Sequence, residues 1–173
     1  MRFRPVTLAL GVYLIFSASL MLRVNLWLTE KVGDRFQVAL FWSVFLAVAA
    51  AFVIYALFKR LGVRRTVAVF AVFSACYLLS RMQAYFSDKT HILSYGLLGL
   101  LSMRDMARPG GRFRLKGLLV AFGFVLLISS LDEIFQSFRP GRTGDIGDVL
   151  TNAVSGALGM CLFSAIDRRS GYP

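Results

Sequence analysis

The chain has 173 residues, of which 57% are hydrophobic and 17% charged, and its mean hydropathy is +0.67. This composition is far too apolar for an ordinary soluble domain, so the sequence predicts an integral membrane protein. The net charge of +11 would suggest nucleic-acid binding in a soluble protein. Here the basic residues lie in short segments beside apolar runs, which favours contact with anionic lipid headgroups and argues against nucleic acid as a partner.

Six uncharged runs predict an all-α bundle of six membrane-spanning helices joined by loops, in one transmembrane domain of residues 1–173. About 20 apolar residues cross the hydrocarbon core of a membrane, so the second run is long enough by itself and the fourth is the weakest. The first run follows two arginines and resembles a signal peptide with a cleavage region at 17–19, but we expect a retained helix. The runs are 5–22, 36–58, 66–80, 90–103, 117–131 and 149–166.

The distribution of Lys and Arg predicts the orientation of these helices, because cytoplasmic loops are enriched in both residues. If six helices span the membrane and the N-terminus is cytoplasmic, most of the 20 Lys and Arg residues are cytoplasmic as well. Both termini are then inside. The polar segments 81–91 and 132–148 are then predicted to lie together on the outer face.

The densest polar segment is 132–159, between the fifth and sixth runs. An ionisable side chain at the bilayer centre costs about 2.5 to 3.5 kcal/mol or more, so these residues are expected at the interface or in a polar cavity of the bundle. Glu133 and Gln136 share one helix face, from which Asp132 is expected to point partly away. Pro140 and Gly141 are expected to end this helix.

The start of the sixth run continues the polar pattern. Asp145, Asp148 and Asn152 would form one stripe if they are helical, and Gly156 and Gly159 extend it. Small residues at this spacing let another helix approach closely in a membrane. The stripe is therefore predicted to face the interior of the bundle.

A purely structural interpretation of the same residues stays open. Asp145 or Asp148 would cap the helix and complement its dipole, and Arg139 or Arg142 would neutralise them. The segment contains more polar groups than capping requires, and this surplus favours a ligand-binding site.

A second polar cluster, 81–91, precedes the fourth run and contains the only histidine of the chain, His91. Tyr95 lies four residues later on the same helical face, and Asp88 is a candidate N-cap. A hydrogen-bonded structural role for His91 and a role in proton exchange are both open.

Together these motifs resemble the VanZ-like family of small bacterial membrane proteins. The resemblance covers about 87–159, whereas the two additional N-terminal spans at about 5–58 carry no family signature. It implies a multi-pass protein of the bacterial inner membrane, and some family members are associated with resistance to lipoglycopeptide antibiotics such as teicoplanin. The matching motifs are Asp88-Lys89-x-His91-x-x-x-Tyr95, Glu133-x-x-Gln136 and Pro140-x-Arg142-x-x-Asp145-x-x-Asp148-x-x-x-Asn152-x-x-x-Gly156-x-x-Gly159.

The leading hypothesis is a polar site at the outer face that binds an anionic amphiphile, such as a lipid-linked cell-envelope headgroup. Arg139 and Arg142 would contact phosphate or carboxylate oxygens, which suit a guanidinium group. Acidic side chains would hold these arginines or, through a divalent cation, the ligand. The predicted ligand-binding residues are Asp88, Lys89, His91, Tyr95, Glu133, Gln136, Arg139, Arg142, Asp145, Asp148 and Asn152.

Two other functions remain open. A lipid-headgroup-modifying enzyme would use the paired carboxylates with His91, although the sequence has no nucleophile, zinc-protease or phosphate-loop motif. An accessory or scaffold subunit of a membrane complex would present aromatic residues of the second run, such as Phe41 and Trp42, to a protein partner. For the leading hypothesis, the predicted partners are anionic membrane lipids. The sequence identifies no cofactor and predicts no metal site.

Overall fold

The computed structural model describes residues 2–83, 86–107, 115–138 and 145–167, and all regular structure within them is helical. The helices contain the predicted runs and extend most of them. Their bounds are α1 Pro5–Val32, α2 Asp34–Phe58, α3 Val63–Met82, α4 Phe86–Met106, α5 Leu115–Ser137 and α6 Ile146–Ile166.

The connection between α1 and α2 differs from the predicted loop. Both helices continue through charged residues, and Gly33 alone separates them, with φ at 78°. Glycine reaches this region without steric cost, which explains why the chain can turn at a single residue. The Thr29 hydroxyl accepts a hydrogen bond from the Gln37 amide at 2.8 Å and donates to Asp34 at 3.1 Å, so polar contacts join the two helix ends.

The α4–α6 pair forms the most extensive helix contact in the structure. A Cβ atom added to Gly99 would lie 2.0 Å from the main-chain oxygen of Gly156, and one added to Gly159 would lie 1.8 Å from that of Gly96. Only glycine permits such backbone approach, as membrane helices commonly exploit. The prediction that Gly156 and Gly159 receive a neighbouring helix is confirmed: Gly159 packs against α4, and Gly156 packs against Gly99 of α4 and Val125 of α5.

Within the described residues, four helices are long and apolar enough to cross a membrane: α2, α3, α5 and α6. In α1 a shorter apolar stretch, Pro5–Ser17, is found. Helix α4 carries Lys89, Ser102 and other polar residues on its buried side. The structure therefore agrees with a helical membrane bundle.

The helices run up and down, so their ends gather at two sides of the bundle. At the polar end, defined by Lys89, Tyr95, Asp132 and Asp145, helices α3 and α5 end and helices α4 and α6 begin. At the Asp105 end, helix α1 begins beside the end of α4. Tyr95, four residues after the polar segment 81–91, donates a hydrogen bond to Asp132 of the other segment, which agrees with the expectation that the two segments lie near each other.

Candidate functional site

The centre of the candidate site is a buried carboxylate, that of Asp132. Its side chain is 1% exposed, and Tyr95, which is 0% exposed, donates its phenol hydrogen to Oδ2 at 3.0 Å. The Gln136 amide donates to Oδ1 at 3.1 Å. A buried charge is costly unless hydrogen bonds compensate it, so these donors explain how Asp132 is tolerated between α4 and α5.

This geometry corrects the expectation that Asp132 points partly away from the face shared by Glu133 and Gln136. Residues four apart on a helix lie on one side, so Asp132 and Gln136 share a face as closely as Glu133 and Gln136 do. All three are buried, with the aspartate at the centre of the network. Asp132 was therefore missing from the predicted site, although the i, i+4 spacing could have identified it.

Glu133 connects the end of α5 to the start of α6. Its Oε2 accepts the main-chain N–H of Asp145 at 3.0 Å. Asp145 in turn caps α6, since its Oδ1 accepts the N–H of Gly147 at 2.7 Å. A carboxylate at a helix N-terminus satisfies free N–H groups and complements the helix dipole.

Helix α6 starts at Ile146 and Asp145 is its N-cap, so the helical part of the predicted polar stripe begins at Asp148. The capping interpretation is thus confirmed for Asp145. Asp148 is half-buried in the first turn, and Asn152 is buried deeper in the bundle. The Asn152 amide donates to the Ser129 hydroxyl at 3.1 Å, which joins α6 to α5. Ser129 was not predicted, because a serine in an apolar run carries no distinctive signal.

Lys89 lies at the polar end, where its side chain binds the end of the neighbouring helix α3. Its side chain is buried, and its ammonium group donates to the main-chain oxygens of Ser80, at 3.0 Å, and of Gln83. These carbonyls belong to the last turn and C-cap of α3, where a cation is favoured by the helix dipole. Lys89 therefore fixes the end of α3 against α4.

His91 and Asp88 lie beside this network on α4. The rings of His91 and Tyr95 are 5.9 Å apart between centroids. Asp88 accepts a hydrogen bond from the Ser87 hydroxyl at 2.9 Å. It is not the N-cap predicted from sequence, because α4 already begins at Phe86 and Asp88 lies in its first turn.

The structure thus brings Tyr95, Gln136, Glu133 and Asp145 into one hydrogen-bonded region around Asp132. Arg139 and Arg142 lie outside the described residues. Within the described ranges, no group of three or more His, Cys, Asp or Glu side chains is arranged to hold a metal ion. Tyr95, Asp132, Gln136 and Asn152 are buried, whereas Asp88, His91, Asp145 and Asp148 are partly or fully exposed at this end of the bundle and can meet a polar ligand directly.

Comparison with known proteins extends the resemblance seen in the motifs. The VanZ/LLP1 family model matches residues 6–167, a range that includes α1 and α2 as well as the polar end. No curated protein and no solved structure was found to match the chain. The motifs of 87–159 are therefore part of a longer family pattern, and the chain belongs to the VanZ/LLP1 family.

Proposed function

We propose that this protein binds the anionic headgroup of a membrane amphiphile, such as a lipid-linked cell-envelope precursor, at the polar end. The observation that carries the proposal is the hydrogen bond from the Asp145 N–H to Glu133. It holds the start of α6 at the end of α5, so the chain between these helices begins and ends beside the Asp132 network. That connecting chain carries Arg139 and Arg142.

The proposed roles follow from the chemistry of these groups. Guanidinium groups contact phosphate or carboxylate oxygens through paired hydrogen bonds, which suits the two arginines for the headgroup. Glu133 and Asp148 would hold the arginines, while Tyr95, Gln136 and Asn152 would supply neutral hydrogen-bonding groups. His91 and Asp88 extend the site along α4, and Lys89 supports it through α3.

We propose that all six helices cross the bacterial inner membrane as one domain, with both termini cytoplasmic. Helix α1 has 28 residues and α4 has 21, which at 1.5 Å per residue gives about 42 and 31 Å, enough for a core about 30 Å thick. Lys89 and Ser102 of α4 are buried in the bundle, so their contribution to its low hydropathy does not prevent it from spanning. The polar end then faces outward.

Native mass spectrometry of gently extracted protein tests the binding proposal. Wild type is compared with Arg142→Ala and with Arg81→Ala, which removes the same charge from the exposed last turn of α3 at the same end. We expect an anionic lipid on wild type and on Arg81→Ala, and its loss from Arg142→Ala. Equal lipid retention by all three proteins, at equal yield, would contradict the proposal.

The same variants separate the proposal from catalysis and test a role in resistance. If the site modifies the headgroup, Glu133→Gln abolishes turnover of the bound lipid while retaining its binding. If the family's link to teicoplanin applies here, Arg142→Ala lowers the inhibitory concentration of that antibiotic and Arg81→Ala leaves it unchanged.

The accessory-subunit alternative is supported by the surface of α2. Phe41 and Phe45 are buried against α3, but only 11% of the most apolar stretch of α2 is buried. Leu46 and Ile54 are among the large apolar residues left exposed. Stoichiometric co-purification of a protein that is lost when Leu46 and Ile54 are both changed to Asn, with unchanged lipid retention, would favour this alternative.

A further inference from the structure

A cavity of about 290 Å³ lies between α1 and α4, next to the Asp132 network. The wall on α1 is mainly apolar, with Leu14, Val24 and Leu28 beside the hydroxyl-bearing Ser17. His91 lies in the opposite wall and its ring is 5.9 Å from that of Tyr95, so the cavity reaches the edge of the proposed headgroup site.

The α4 wall consists of Phe86 and a row of polar side chains. Ser87, Thr90, His91 and Ser94 line the cavity and lie at positions i, i+3, i+4 and i+7, which is one face of a helix. A mainly apolar cavity with polar side chains along one wall matches the two-sided character of an amphiphile.

The hydroxyl groups of this wall already have acceptors for their hydrogens. Thr90 donates to the main-chain oxygen of Ser87 at 2.6 Å, Ser94 donates to that of Thr90 at 2.9 Å, and Ser87 donates to Asp88 at 2.9 Å. Within the described part of the chain, His91 makes no hydrogen bond. A neutral imidazole carries one N–H donor, so His91 offers the donor that this wall otherwise lacks.

Two lining residues, Tyr13 and Val24, are 49% and 36% exposed. Because the sides of a membrane-spanning bundle face lipid, these exposed positions would give a molecule of the bilayer access to the cavity. The volume lies at the lower limit of ligand pockets, about 300 Å³, and accommodates one hydrocarbon chain better than an entire lipid.

We propose that one hydrocarbon chain of a membrane amphiphile occupies this cavity, with an ester or phosphate oxygen at its polar end accepting a hydrogen bond from His91. The chain lies along the α1 wall, and the oxygen lies beside the α4 wall. The inference relies on the proposed function for the identity of the headgroup, but the cavity is an additional contact. It gives α1 a direct role in ligand binding.

Photocrosslinking tests this site. The protein is placed in phosphatidylcholine vesicles that contain a trace of phosphatidylglycerol with a diazirine in one acyl chain, and crosslinked peptides are mapped. We expect crosslinks on 13–17 and 87–94 above the level at Leu46, which measures contact with bulk lipid. Ser17→Phe and Ser94→Phe fill the cavity from its two walls and should each reduce these crosslinks about ten-fold.

Val12→Phe is the matched control, because Val12 is an exposed residue of α1 that does not line the cavity. It should leave the crosslinks unchanged. His91→Leu should reduce them and His91→Gln, which retains an N–H donor, should restore them. Crosslinks that persist in both filled variants, or that equal the bulk level in wild type, would overturn the inference.

Arg142→Ala distinguishes failure of the inference from failure of the proposed function. Loss of headgroup retention in Arg142→Ala, with crosslinking unaffected by Ser17→Phe and Ser94→Phe, supports the headgroup site and rejects the cavity. Crosslinks that depend on the cavity, together with unchanged headgroup retention in Arg142→Ala, support the cavity and reject the arginine-based headgroup site.

Discussion

The two ends of the bundle each contain a buried aspartate, but they use it differently. At the Asp105 end, the carboxylate is 0% exposed and accepts the main-chain N–H of Arg4 at 2.8 Å and the Thr7 hydroxyl at 2.6 Å. Arg104 donates to its other oxygen at 3.0 Å. At the polar end, Asp132 accepts hydrogen bonds from the side chains of Tyr95 and Gln136.

The different hydrogen-bond partners of the two aspartates indicate different roles. Asp105 satisfies a main-chain donor at the start of α1 and pairs with the guanidinium group of its neighbour Arg104, so it attaches α1 to α4. The described partners of Asp132 include a phenol and an amide, groups that can also bind a ligand. We therefore expect changes at Asp105 to affect stability and changes at Asp132 to affect binding.

Asp105→Ala should give the largest loss of stability. It removes the acceptor of the buried Thr7 hydroxyl and of the Arg4 N–H, and an unsatisfied buried donor costs about 1–3 kcal/mol. We expect the free energy of unfolding in mixed detergent micelles to fall by about 3 kcal/mol, with lipid retention per folded molecule unchanged. Asp105→Asn should lose about half as much, since one acceptor oxygen remains. Lower lipid retention by folded Asp105→Ala would remove the proposed contrast between the two ends.

Asp132→Asn should affect binding more than stability. Asparagine offers one acceptor oxygen in place of two, so either Tyr95 or Gln136 must reorient. We expect native mass spectrometry to show about ten-fold lower retention of the anionic lipid, equivalent to about 1.4 kcal/mol of binding free energy. The free energy of unfolding should fall by about 1 kcal/mol.

Asp105→Asn is the matched control for this change. The same substitution at the other end should lower stability and leave lipid retention intact. If Asp132→Asn retains lipid like wild type, the Asp132 network is as purely structural as the Asp105 contact.

The two aspartates also show what sequence reasoning could identify. Uncharged runs predicted the location of the helices because apolar segments of that length form membrane helices, but most helices continue into polar residues beyond the runs. The dense polar segment after Leu131 predicted a polar site at this end of the bundle. Asp105, a single acid beside Arg104 at the end of an apolar run, gave no such signal, because its role depends on Thr7, 98 positions away in the chain.

Side-chain direction was less predictable than location. Asp132 was expected to point partly away from the face of Glu133 and Gln136, whereas its contact with Tyr95 depends on the packing of α4 against α5. Gly96 and Gly99 have the same spacing as Gly156 and Gly159 and could have identified α4 as the partner of α6. The cavity beside His91 arises from the packing of α1 against α4, which no local pattern shows.

Lys89→Met tests whether Lys89 at the polar end stabilises the fold, as Asp105 does at the other end, or contacts the ligand. The variant retains most of the side-chain volume but removes the donors to the Ser80 and Gln83 oxygens at the end of α3. We expect a loss of about 1 kcal/mol in the free energy of unfolding and faster amide exchange in the last turn of α3. Lys89→Arg should restore part of the loss. A decrease in lipid retention larger than the change in stability would instead indicate that Lys89 contacts the ligand.

Arg4→Ala should have the smallest effect and so separates the parts of the Asp105 contact. The Arg4 side chain is 64% exposed and its Nε lies 3.5 Å from the Asp105 carboxylate, so solvent screens the ion pair. The main-chain N–H of residue 4, which donates to Asp105, is retained in the variant. We expect the free energy of unfolding to change by less than about 0.5 kcal/mol in the titration used for Asp105→Ala. A loss close to that of Asp105→Ala would mean that the guanidinium group of Arg4, rather than its N–H and Thr7, attaches α1 to α4.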